Sequence, residues 1–303
     1  MRQAAVILLT LGILGFAISV GAQTGGQPAP QNPPAAGQTA PVQGAAQSAA
    51  APAAKRPPQA KTQPEFDAWK AASANTDPPA LEKAADDFAT KFPDSELRVL
   101  LYKNAMRLYQ NSNNGEKDEA MGRKVLSLDP DDPEALITVS EVIAERTRES
   151  DIDKDQRYSE AIAMSQKAMQ TLDTDLGVPA GTPQEKIDAY KAGMRSQAYS
   201  IIGTIEFKKE NYPAAQENLQ KSIDAFPSEP VAVDVLRLAL TLDKEQKYPE
   251  ALKWANRAVE LTQKQETSVV GTAARRERDR LQQLTGGAAP AQPQAQPQTP
   301  PKN

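Results

Sequence analysis

The chain has 303 residues, 25 Pro, 16 Gly, no Cys and no His, with a formal net charge of −4. Without Cys or His there are no disulfides, no thiol or imidazole catalysis, and no Cys- or His-ligated metal sites. The five charged residues outside 63–285 (Arg2, Lys55, Arg56, Lys61 and Lys302) are all basic, so the net −4 conceals a −9 central region. An acidic body disfavours nucleic acid, because that binding rests on neutralising phosphates with Lys and Arg.

Met1-Arg2 gives a short positive start, followed by an apolar run from Val6 to Val20 that closes on Val20-Gly21-Ala22. This is the layout of a secretory signal peptide cleaved after Ala22. It places the mature chain outside the cytoplasm, periplasmic or secreted. The absence of Cys removes a lipoprotein anchor. The alternative is an uncleaved signal anchor facing the periplasm, and it would be the only membrane contact.

Residues 23–62 and 286–303 are rich in Pro, Ala and Gln and contain no Asp, Glu, Trp, Tyr or Phe. Such composition cannot bury enough apolar surface to offset chain entropy, so both arms are expected to be disordered spacers. All the Trp and Tyr, and every Phe except Phe16, lie between 63 and 285. That stretch is the foldable domain.

Strand signals are weak within it, and helical units recur. Asn211-Tyr212-Pro213-Ala214-Ala215 and Lys247-Tyr248-Pro249-Glu250-Ala251 stand 36 residues apart. Arg157-Tyr158-Ser159-Glu160-Ala161 is a third copy. A small residue follows each Ala by two helical turns: Ala161/Ala168, Ala215/Ser222, Ala251/Ala258. Pro213 and Pro249 fit a helix start, where a missing N–H costs nothing. The paired small residues share one face and admit a neighbouring helix. Phe92-Pro93, Asp129-Pro130 and Phe226-Pro227 mark helix ends.

The segment Ala198–Pro230 resembles a tetratricopeptide repeat, a helix–turn–helix unit. Tyr199, Ile202, Gly203, Tyr212, Ala215, Leu219, Ser222 and Pro227 stand at that family's pattern positions. Pro230–Thr262 follows with Tyr248, Ala251 and Ala258 and two extra turn residues. Pro133–Leu172 follows with about nine extra residues between its helices. Ser95–Pro130 follows with a shortened second helix, and Glu65–Pro93 is the most degenerate copy. The resemblance implies an all-α, right-handed α-solenoid of about five antiparallel helix pairs. Residues 173–195 are read as a loop and an extension of the next helix, and 267–284 as a polar capping helix.

Chemical sites are few. Asp151-Ile152-Asp153-Lys154-Asp155 alternates carboxylates in the manner of a calcium loop, although Gln156 and Ile162 stand where Gly and a bidentate Glu belong. The rival reading is a solvated loop whose carboxylates favour the next helix start. No cofactor motif is present. The resemblance also implies a partner groove on the first helices of the pairs, here Ile137, Glu141, Ser200, Thr204, Phe207, Leu236 and Leu240. The Lys/Asn/Arg set with which family members clamp a C-terminal carboxylate is missing. Together these features predict a non-enzymatic scaffold for a protein partner with a basic or amphipathic segment. A carboxylate-based cell-wall hydrolase is the remaining, unsupported alternative.

Overall fold

The computed structural model describes residues 55–286, apart from 180, 266 and 267. The signal segment and most of both arms therefore lie outside the described residues. The described ones form eleven α-helices: α1 Gln63–Ser73, α2 Pro78–Lys91, α3 Arg98–Asn111, α4 Gly115–Leu128, α5 Pro133–Arg146, α6 Lys154–Thr171, α7 Gln184–Lys208, α8 Tyr212–Ala225, α9 Ala232–Lys244, α10 Tyr248–Leu261 and α11 Val269–Leu284. A single 3-10 turn, Gln263–Gln265, precedes the last.

Each helix begins and ends for a local reason. Thr62, Asp77, Asn114, Asp132 and Ser268 cap α1, α2, α4, α5 and α11 by accepting a first-turn backbone N–H. Such caps satisfy donors that have no partner inside the helix. Pro lies in the first turn of α1, α2, α5, α8 and α10. Helices α2, α4 and α8 stop at Phe92, Asp129 and Phe226, each followed by Pro.

Three turns within helix pairs share one geometry. Asn113, Glu210 and Gln246 adopt φ of 55°, 59° and 61°, in the left-handed region. The next amide in each case, of Asn114, Asn211 or Lys247, donates to the carbonyl five residues back, at 2.9–3.0 Å. This is the closing bond of a Schellman cap. The three-residue turns 112–114, 209–211 and 245–247 are therefore equivalent, and the 36-residue spacing places its two extra residues between α8 and α9. Helix α4 has 14 residues, as α8 and α10 do. The expectation of a shortened second helix after Ser95 is thus corrected: Asn114 caps α4 where no Tyr-Pro marks the start. The insertion before Tyr158 is a seven-residue connection plus an additional turn on α6, which has 18 residues.

Successive helices pack in order to give an all-α solenoid of five antiparallel pairs, with α11 against α10 and α9. Helices α1–α3, α5–α7, α7–α9 and α9–α11 also touch, so the odd-numbered helices line the inner face. Small residues set the approach. Ala85, Ala105, Ala161, Ala168, Ala198, Ala215, Ala251, Ala255 and Ala258 are fully buried. A Cβ on Gly203 would lie 2.8 Å from Leu219 Cγ and 3.0 Å from Leu219 N, which fixes the α7–α8 crossing. A Cβ on Gly122 would lie 2.5 Å from Val139 Cγ2, where α4 meets α5.

The repeat positions read from the sequence fall as follows. Ile202, Gly203, Ala215, Leu219, Ser222, Ala251 and Ala258 are buried, while Tyr199, Tyr212 and Tyr248 are half-buried. Eleven of the fourteen residues of α5 are buried, because α4, α6 and the 25-residue α7 all pack on it.

Candidate protein-binding surface

The inner face carries a ladder of polar side chains that ties odd-numbered helices together. At its α3–α5 end, Lys103 Nζ lies 2.7 Å from Asp132 Oδ2 and 2.6 Å from Glu134 Oε2. Arg107 reaches Glu134 Oε2 at 2.7 Å, and Tyr190 of α7 donates its hydroxyl to Glu134 Oε1 at 2.5 Å. Asp132 also caps α5 through the Ala135 N–H. Burial works against ionising Glu134, but Lys103 and Arg107 outweigh it and hold the carboxyl well below the usual range. Every charge at this end has a partner. Its chemistry is structural.

The other end is less balanced. Glu141 accepts from Gln197 of α7 at 2.8 Å. Burial, then the neighbouring Glu145, then Asp234 push the Glu141 carboxyl up to about 7, against that hydrogen bond. Asp118, at the start of α4, is 3% exposed, and its Oδ1 has no hydrogen-bond partner. Burial and then Glu141 raise it to about 7. On α9, Asp234 accepts from Ser200 at 2.7 Å, Ser222 at 3.2 Å and Arg237 at 3.2 Å. Burial still raises its pKa. Lys208 is committed to the end of α5, where it donates to Ala144 O at 2.5 Å and stacks on the Tyr158 ring. Asp118, Glu141 and Asp234, none of them well exposed, thus lie with the exposed Glu145 in one cluster in which Arg237 pairs with Asp234. Carboxyls gathered in this way attract a cation.

The structure redraws the expected groove. Glu141, Ser200 and Thr204 are half-buried polar residues of the inner helices. Ile137 is buried in the α5–α6–α7 core, and Leu236 is buried against Ala258 and Ala274. Phe207 packs edge-on to Tyr212 at 5.9 Å, and Leu240 leans on the α10–α11 cluster. Ile137 and Leu236 are therefore core, while Phe207 and Leu240 stay half-buried beside the polar Glu141, Ser200 and Thr204. The sequence reading missed Lys103, Arg107, Asp118, Glu134, Tyr190, Asp234 and Arg237. Their signal was helical spacing of charges in otherwise apolar helices: Lys103 and Arg107 four apart, Glu134 and Glu141 seven apart.

The carboxylates of the Asp151–Asp155 stretch have local roles. Asp151 accepts from the Arg148 N–H at 2.8 Å and so closes its own loop. Asp153 stands at the N-cap of α6, Asp155 lies in its first turn, and Lys154 is drawn to Glu149. Among the described residues no group of three or more carboxylates is placed to hold a metal ion. A surface cleft of 640 Å³ lies beside this loop, between α4, α5 and α6. Its walls offset one another, with Arg123 bridging Glu119 at 3.0 Å and Glu160 at 2.8 Å.

No family model and no curated protein matches the chain. Solved structures do resemble it. YrrB, described as a TPR protein with an unusual peptide-binding site, is 17% identical, with a TM-score of 0.43 over 67% of this chain and 86% of that one. MamA residues 41 to the end, from Desulfovibrio magneticus RS-1, is 15% identical, with a TM-score of 0.46 over 68% and 99%. PilW, a type IV pilus biogenesis factor, is 16% identical, with a TM-score of 0.43 over 75% and 96%. The likeness is one of fold. The architecture itself rests on the helix order and packing described above.

Proposed function

We propose that this chain is a non-enzymatic scaffold for protein–protein contacts in the bacterial cell envelope. Its inner face takes a basic or amphipathic segment of a partner at Glu141 and Glu145, with the buried Asp234 adding negative charge behind them. The observation that carries this reading is the carboxyl surplus at that end of the ladder, next to an end where every charge is paired. A Lys or Arg side chain would supply the missing positive charge, and the polar rungs would orient the segment. The −9 central region favours approach of a basic partner over an acidic one.

The envelope assignment rests on the signal-like segment at residues 1–22. No described helix is long and apolar enough to cross a membrane. An export signal cleaved after Ala22 would leave a native N-terminus at Gln23, whereas an intact Met1 would mean an anchored form. Mass spectrometry of the native N-terminus separates the two.

The binding reading is tested by capture from native envelope with the full chain and with a Glu141→Gln/Glu145→Gln variant. The expected result is a partner that the parent retains and the variant loses, cross-linked through a Lys- or Arg-containing segment to α5 or α7. Equal capture by both proteins, or cross-links confined to the even-numbered helices, would overturn it.

A further inference from the structure

Residues 55–61 belong by composition to the Pro-rich arm, yet they lie along the solenoid. The Lys61 ammonium donates to Asp94 O at 2.7 Å, in the α2–α3 turn. Arg56 grips Glu96 of the same turn with both nitrogens, at 2.8 and 2.5 Å. The Gln59 N–H reaches the same carboxylate at 3.2 Å. Lys55 Nζ is 2.5 Å from Asp129, in the α4–α5 turn, and 3.6 Å from Asp175, in the α6–α7 connection. The Lys55 N–H donates to Thr174 O at 2.9 Å. Between these anchors Ala60 packs against the apolar core built by α1–α4.

The segment therefore crosses three successive inter-pair turns on one edge, and each turn offers it an oxygen. Its three basic residues are three of the four positive charges in the first 62 residues. Pro57-Pro58 stiffens the stretch between Arg56 and Gln59, which lowers the entropy lost on docking. The Glu96 carboxyl is held below its ordinary range, first by its hydrogen bond from Arg56. The side chains of Lys55, Arg56 and Glu96 remain 44%, 65% and 38% exposed. Exposed pairs of this kind are individually weak and salt-screened.

We propose that the acidic edge formed by the α2–α3, α4–α5 and α6–α7 turns is a docking site for an extended basic segment, and that its occupant is residues 55–61 of the same chain, acting as a salt-releasable strap across the first three helix pairs. Recognition combines oxygens of the turns that accept backbone N–H groups, which any extended chain can donate, with carboxylates spaced to select Lys and Arg. The site lies on the edge of the solenoid, apart from the inner face, and does not depend on what that face binds.

The test is amide hydrogen exchange on the full chain at low and high salt. The two reporters are the bonded amides of Lys55 and Gln59. At low salt both should be protected, and raising NaCl to about 0.5 M should cut that protection roughly tenfold while α3–α10 stays protected. Arg56→Glu should cause the same loss at low salt, and Arg56→Glu with Glu96→Arg should restore protection at Lys55, whose acceptor Thr174 O is untouched, while Gln59 loses its own acceptor with Glu96 and is not read in the double variant. Unprotected reporters at low salt would overturn the proposal, as would protection indifferent to both salt and Arg56→Glu. Loss in the single variant without recovery in the double, with the helices intact, would also overturn it, since the pairing would then not be the cause.

Discussion

The Lys103 ammonium lies 2.6 Å from Glu134 Oε2, and both side chains are no more than 9% exposed. The pair links α3 to α5 across 31 residues of chain, with Arg107 and Tyr190 completing the shell around the carboxylate. Removing one partner of a buried pair leaves the other charge uncompensated. Lys103→Met is expected to cost about 3–5 kcal/mol of unfolding free energy. A urea denaturation series measures this. Glu134→Gln added to Lys103→Met should recover part of the loss, because Glu134 would no longer carry a stranded charge. A loss below about 1 kcal/mol for Lys103→Met would show that the pair contributes as little as an exposed one.

Asp118 and Glu141 give stability a pH dependence of unusual sign. Their folded values are near 7, and their unfolded values are those of ordinary carboxyls, near 4. Folding therefore takes up protons between about pH 4 and 7, and the contribution of these groups to stability falls as pH rises through that window. Glu134 acts in the opposite sense. Its folded value is depressed, so its contribution is present above about pH 4 and is lost on further acidification. The urea midpoint should accordingly be higher at pH 5.5 than at pH 8. Asp118→Asn should stabilise the protein by about 1–3 kcal/mol at pH 8, and Asp118→Asn/Glu141→Gln should flatten the profile between the two pH values.

Glycine contacts give a graded series. At Gly203 a Cβ meets the Leu219 backbone nitrogen, which cannot move without shifting α8. Gly203→Ala should destabilise by about 1–3 kcal/mol. At Gly193, also helical, a Cβ meets nothing within 4 Å. Gly193→Ala should therefore stabilise by about 0.5–1 kcal/mol through helix propensity. Thermal unfolding of the two single variants decides this, and equal shifts would count against the α7–α8 crossing described here.

Glu210 and Gln246 hold left-handed backbone without being glycine. For such residues that conformation costs about 1–2 kcal/mol. Glu210→Gly and Gln246→Gly should each stabilise by about 0.5–1 kcal/mol once the added freedom of the unfolded chain is subtracted. A lower melting temperature in both would mean that their side chains contribute more than the turn costs.

The repeat architecture was legible where local chemistry repeats. Tyr-Pro-x-Ala at Tyr212 and Tyr248 announces a helix start and a small contact face together. The α3–α4 pair was harder, because Asn114 caps α4 through its side chain and leaves no aromatic mark. The inner face was less legible still. Tyr190 meets Glu134, and Gln197 meets Glu141, across 56 residues in each case. Neither meeting has a local signal. Both depend on how far the long α7 helix reaches over α5, which also turns Ile137 from expected lining into core. The arm boundary shows the same limit. Lys55, Arg56 and Lys61 sit in a composition that reads as spacer, and their partners lie 33 to 120 residues away.

The strap has a mechanical corollary. Lys55, the first described residue, is bonded to Thr174, at the connection that closes the third of five helix pairs. A tension transmitted along residues 1–54 would meet the solenoid near its middle, with the turns of the first three pairs sharing the load. A body held at its waist hangs broadside, with its two ends at similar leverage, whereas one held at its first helix would trail end-on. Releasing the strap at higher ionic strength would shift the point of suspension to Gln63 and swing the whole inner face through a new orientation.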